Sequence, residues 1–72
     1  MSKRTKFTPV KGAEYEQRSD FYTSVFTCIR PVSDGCAILR NTRSGWTFQA
    51  HGCGIYENGQ IDWDYSTGGT FE

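Results

Sequence analysis

The sequence has no long apolar run, no close pair of cysteines and, after residue 45, no lysine or arginine. Each absence excludes something. No stretch approaches the roughly 20 apolar residues of a membrane-spanning helix, and no apolar segment follows the start, so neither a membrane anchor nor a secretory signal is expected. The three cysteines, Cys28, Cys36 and Cys53, are odd in number and cannot all pair within one chain. A reduced, cytoplasmic protein is therefore expected. The cysteines also lack the Cys-x-x-Cys spacing with which structural zinc sites usually begin. Cys28, Cys36, Cys53 and His51 are acceptable ligand types, so a small zinc-stabilised domain stands as an alternative, but no metal or cofactor is expected. There is no internal repeat and no nucleotide-binding glycine loop. With 72 residues the chain makes one domain at most, and its core is thin.

Aromatic residues are abundant at 15%, and they bring much buried area per residue. Charge is unevenly spread. Residues 1–45 hold all eight Lys and Arg with four acids, whereas residues 46–72 hold four acids alone. Such a split serves either charge complementarity within the fold or partners of opposite sign at the two ends.

Residues 1–12 read as a flexible basic arm ahead of a single β-rich domain, 13–72. Within the arm, Phe7 and Val10 are suited to tacking it to the body. Residues 13–19 suggest a short helical turn. Phe21 to Ile29 holds many β-favouring residues and no strong helix former, so a strand is expected over 21–30. Tyr15, Tyr22, Val25, Phe26 and Ile29 would also share one side of a helix. Pro31 to Gly35 is a turn signal, and Cys36 to Asn41 a short strand. Thr42 to Gly45 fits a three-residue hairpin loop with Gly45 left-handed, which sets Thr42 opposite Trp46, Arg40 opposite Phe48 and Ile38 opposite Ala50. A long strand then runs from Trp46 to about Glu57, with a bend at Gly52 or Gly54 as the alternative.

Asn58-Gly59 is a strong two-residue hairpin signal. It pairs Tyr56 with Ile61, Gly54 with Trp63 and Gly52 with Tyr65, so that each glycine makes room for an aromatic ring. One face then carries Ile38, Trp46, Phe48, Ala50, Tyr56, Ile61, Trp63 and Tyr65. The opposite, polar face carries Thr47, Gln49, His51, Cys53, Ile55, Asp62, Asp64 and Ser66. Beyond it, Gly68-Gly69 permits a turn that returns Phe71 to a sheet edge. The expected fold is mainly β, a small antiparallel meander of about four strands. A partial barrel, or a helix over 14–30 packed on a three-stranded antiparallel sheet, are the alternatives.

In this register Cys53 faces Asp64 and His51 faces Ser66. A histidine beside a carboxylate suits proton transfer, and a cysteine beside a histidine suits nucleophilic attack. A flat sheet offers neither oxyanion donor nor cleft, so no enzyme is expected. The acidic and polar side chains Gln49, His51, Glu57, Asp62 and Asp64 form the candidate surface for a protein partner. Alternatively they are only a solvated face that resists edge association. A nucleic-acid module using Lys3, Arg4, Lys6, Lys11, Arg40 and Arg43 with sheet aromatics is the alternative function. Few cations lie near those aromatics, so nucleic-acid binding is expected to be weak or absent. The reading is a non-catalytic, intracellular interaction or regulatory module with a protein partner. Self-association as a homodimer is expected from the thin core and open edges.

Overall fold

Burial alternates every second residue over Glu14–Arg18, the pattern of a strand with one side turned to a core. The computed structural model describes residues 3–68. Among them are eight strands: β1 (Thr5–Lys6), β2 (Glu14–Arg18), β3 (Thr23–Ser33), β4 (Cys36–Asn41), β5 (Thr47–His51), β6 (Gly54–Ile55), β7 (Ile61–Asp62) and β8 (Tyr65–Thr67). The first sheet has the order β2-β3-β4-β5-β8, the second β1-β6-β7. Every strand pairing is antiparallel. A parallel bridge between Glu16 and Gln60 links the two sheets, which do not close into a barrel. The mainly β, antiparallel expectation therefore holds, and β2 to β5 form its meander.

The helix over 14–30 is overturned. Tyr15 and Gln17 turn inward from β2, and Ser24, Phe26 and Cys28 from β3, while their neighbours along β2 stay exposed. Pairing with β4 gives these β-favouring residues a partner that a helix would not. The turn expected from Pro31 is also shorter, because β3 continues through Ser33. Pro31 pairs with Ala37 on one side only; β2 has already ended, with Glu14 opposite Thr27. A residue lacking an N–H is tolerated on such an unpaired edge. Of the segment read as an arm, Thr5 and Lys6 pair with Ile55 and Gly54. The proposed return of Phe71 lies outside the described residues.

Both hairpin loops are one residue longer than their sequences suggested. Asn41 and Trp46 close a four-residue loop, with Gly45 N donating to Asn41 O and Asn41 N to Trp46 O, both at 2.8 Å. The cause is local: Asn41 Oδ1 accepts from Arg43 N at 2.9 Å and Ser44 N at 3.3 Å, so Asn41 itself becomes the base of the loop. Ile38 therefore faces Gln49, Leu39 faces Phe48 and Arg40 faces Thr47. At the second hairpin Tyr56 N donates to Gln60 O at 2.9 Å, enclosing three residues. Asn58 Oδ1 accepts from Gln60 N, and Gly59 takes the left-handed position that a three-residue loop requires. Gly54 consequently faces Asp62, and Ile55 faces Ile61.

The expected long strand breaks at Gly52, whose φ is +72°. That bend interrupts the alternation, so Ala50 and Cys53, three residues apart, both point into the core. The core joins Phe26, Cys28, Ala37, Leu39, Phe48 and Ala50 of the larger sheet to Cys53 and Ile61. Trp63 packs against it, meeting the Phe26 and Phe48 rings at 5.2 Å each, a spacing that adds to simple burial. Ile38 points to the opposite face and is still only 1% exposed.

No aromatic ring fills the space beside the two glycines. A Cβ at Gly52 would run into an Asp64 carboxylate oxygen, and one at Gly54 would lie 2.5 Å from Arg4 Cγ. Gly52→Ala therefore combines backbone strain with displacement of Asp64. We expect it to cost roughly 2 kcal/mol or more. Gly59→Ala, also at positive φ but with open space around it, should cost about 1 kcal/mol. Adding Asp64→Ala to Gly52→Ala should recover part of the difference in urea unfolding. Equal losses at the two glycines would contradict the crowding.

Candidate functional site

The hairpin registers decide which polar groups meet. Arg4 is brought over Gly54 by the pairing of β1 with β6. Its Nη2 donates to Asp64 Oδ1, and its Nη1 lies 3.5 Å from Asp62 Oδ2. The hydrogen bond to Asp64 holds the Arg4 guanidinium above its ordinary value. Asp62 is a hub: Oδ1 accepts from Trp63 N at 2.9 Å and Gln17 Nε2 at 3.2 Å, and Oδ2 accepts from Tyr56 Oη at 3.3 Å. Its lone pairs are committed to holding β2, β7 and the N-terminal segment together. It therefore has little capacity left to serve as a general base. Beside it, between β2 and the 56–60 turn, an open cleft of about 440 Å³ is lined by Gln17, Arg18, Tyr56, Asn58, Gln60 and Asp62 among others.

His51 belongs to a different face. It stands opposite Cys36 on β4 and Tyr65 on β8. Its Nδ1 is 3.5 Å from Cys36 Sγ, its Nε2 is 2.9 Å from Thr67 Oγ1, and its ring stacks on Tyr65 at 4.5 Å and 6°. Cys53, read from the sequence as the cysteine near His51, lies instead in the core. Burial pushes its thiol up to about 11, and burial also raises Cys28. The one-residue register shift and the bend at Gly52 together exchange Cys53 for Cys36. The sequence contained the signal, since Asn41 at a loop base is a known cap, but its weight against the Gly45 signal was not evident.

The residues singled out in the sequence thus separate. Gln49 and His51 share the outer face of the larger sheet, Asp62 and Asp64 surround Arg4, and Glu57 is exposed in its turn. Of the cations, Arg4 is bound to acids and Lys6 Nζ meets Asp34 at 2.9 Å. Lys3, Lys11 and Arg43 are exposed, and Arg40 is half-buried on β4. The four candidate zinc ligands do not converge, because Cys28 and Cys53 are in the core and Cys36 and His51 are on the other face. Among the described residues no three His, Cys, Asp or Glu side chains are grouped to hold a metal ion.

The aromatics also divide. Phe26, Phe48 and Trp63 interlock in or against the core. Phe21, Tyr22 and Trp46 are 92%, 60% and 57% exposed. They were not expected to act together, yet the topology brings them to the same end of the larger sheet. Phe21 and Tyr22 lie in the β2–β3 loop, and Trp46 closes the β4–β5 loop. Thr42 of the second loop is tied to β3 by its N and Oγ1, both donating to Val25 O.

The Lys6 hydrogen bond and charge hold the Asp34 carboxyl below its usual range. A lowered folded value contributes stability that is present above the ordinary carboxylate range, about pH 4, and is lost as pH falls through the folded value. Lys6→Gln should return the Asp34 titration toward that range, as read from side-chain NMR shifts, and should flatten this part of the acid limb. An unchanged Asp34 titration would contradict the pairing. Comparisons with protein-family models, curated proteins and solved structures return no match, so the chemistry of these surfaces alone carries the functional reading.

Proposed function

We propose that the protein is a non-catalytic interaction module of a reducing, cytoplasmic compartment, and that it binds a protein partner through the loop end bearing Phe21, Tyr22 and Trp46. The single observation carrying this reading is the exposure of these three large rings on one end of a small domain whose core already has its own aromatic set. Exposed aromatics of this kind cost solubility unless something covers them, and Trp, Tyr and Arg dominate the energetic centres of protein interfaces. Arg18 and Arg43 flank the rings, and Asp20 lies in the same loop as Phe21 and Tyr22, giving a mixed polar rim rather than a cationic track. The internal commitment of Asp62 supports a binding role over catalysis, and the pairing of Arg4 and Lys6 with acids lowers the charge on offer to a polyanion.

Capture from the native cell tests the reading. Trp46→Ala, or Phe21→Ala, should weaken partner retention by roughly thirtyfold, about 2 kcal/mol at a buried anchor, with the fold intact by circular dichroism. Retention should survive nuclease and change little between low and near-physiological salt, because apolar burial does not depend on counterion release. Association of the purified chain with itself, abolished by the same changes, would make a second copy the partner. Loss on nuclease treatment, with steep salt dependence, would replace the reading with nucleic-acid binding by Trp46, Tyr22 and Arg43.

A further inference from the structure

Of the three cysteines, Cys36 alone is neither in the core nor fully buried, and it is the one that meets a histidine. Its neighbours are ordered for proton transfer. Both His51 tautomers fit the two contacts, and the one with Nε2–H donating to Thr67 Oγ1 leaves Nδ1 free to accept from the Cys36 thiol. Stacking on Tyr65 fixes the plane of the imidazole, and pairing between β5 and β8 fixes Tyr65 and Thr67. A nucleophile, a base and a group that orients the base are therefore aligned across three adjacent strands.

We propose that Cys36 is a reactive thiol that forms a mixed disulfide with low-molecular-weight disulfides, with His51 as its base and Thr67 as the group positioning His51. In the step, the Sγ–H proton passes to His51 Nδ1 and the thiolate attacks one sulfur of the incoming disulfide. The Cys36 S–S bond forms as the original S–S bond breaks. The released thiolate recovers the proton from the imidazolium. Cys36 is oxidised to the disulfide level, and the departing half is reduced to a thiol, so no further oxidant is required. The reaction is stoichiometric, one adduct per chain. It goes beyond the interaction surface proposed above, which lies at the other end of β4 and β5. Cys28 and Cys53 serve as internal references, because both are buried and raised in pKa.

The test is the reaction of the folded, reduced protein with dithiodipyridine and with oxidised glutathione near neutral pH, followed by peptide mass mapping. We expect the first adduct on Cys36, formed about tenfold or more faster than on the same thiol in urea-unfolded chain. His51→Gln should remove that advantage, since a positioned base contributes a factor of this order or larger. Thr67→Val, which keeps the imidazole but releases Nε2, should slow the reaction by a smaller factor. Cys36→Ser should abolish the fast phase. Three results would overturn the proposal: first labelling at Cys28 or Cys53, a folded rate no greater than the unfolded one, or a folded His51→Gln variant reacting as fast as wild type. The comparison of folded with unfolded wild type decides the matter even where a variant fails to fold.

Discussion

The left-handed turn at Gly52 is the constraint on which the rest of the structure depends. It carries the chain out of the larger sheet at His51 and into the smaller one at Gly54. By breaking the alternation it turns Cys53 inward while His51 stays outward. The backbone of Cys53 then becomes a junction: its N donates to Gly35 O at 2.8 Å, and its O accepts from Phe7 N at 3.0 Å. The missing side chain at Gly52 admits Asp64, and the one at Gly54 admits Arg4. A side chain at either position would disturb the path by which the N-terminal segment reaches the body. The two glycines of the 52–54 stretch thus accommodate an ion pair.

The fold class was legible in the sequence because β-branched and aromatic residues crowd Phe21 to Ile29, and because Cys36–Asn41 is bounded by turn signals on both sides. Register was not legible. It depended on whether the loops close at Thr42 and Glu57 or one residue earlier, at Asn41 and Tyr56, and the side-chain hydrogen bonds of Asn41 and Asn58 settle that only once the backbone is folded. A shift of one residue changes the cross-strand partner of every residue. That is why Asp62, rather than Trp63, stands opposite Gly54, and why the cysteine beside His51 is Cys36. The exposed rings at the loop end were equally hidden, since Trp46 continues the inward row of Phe48 and Ala50 and only its position beyond the core leaves it in water.

The uneven charge along the chain is partly internal. Arg4 from the basic portion joins Asp62 and Asp64 from the acidic portion, and the pairs lie at a partly exposed site. Such pairs contribute little to stability on average and are screened by salt. Their value here is positional, because Asp62 also ties Gln17 of β2 and Tyr56 of the second hairpin into the same network.

Arg4 and Asp64 stand 60 positions apart in the sequence, and β1 finds its partner in β6 rather than in any neighbouring segment. The first of the described strands must therefore wait, unpaired, until residues 54–55 exist. Loop closure over such a span delays reward until late in assembly. During synthesis the meander from β2 to β5 is free to form first, with the smaller sheet and the ion pair closing over it afterwards. Closure of the fold thus waits on residues 54–64, and a product interrupted before Gly54 would leave Arg4 and the edge of β1 without the contacts that hold them.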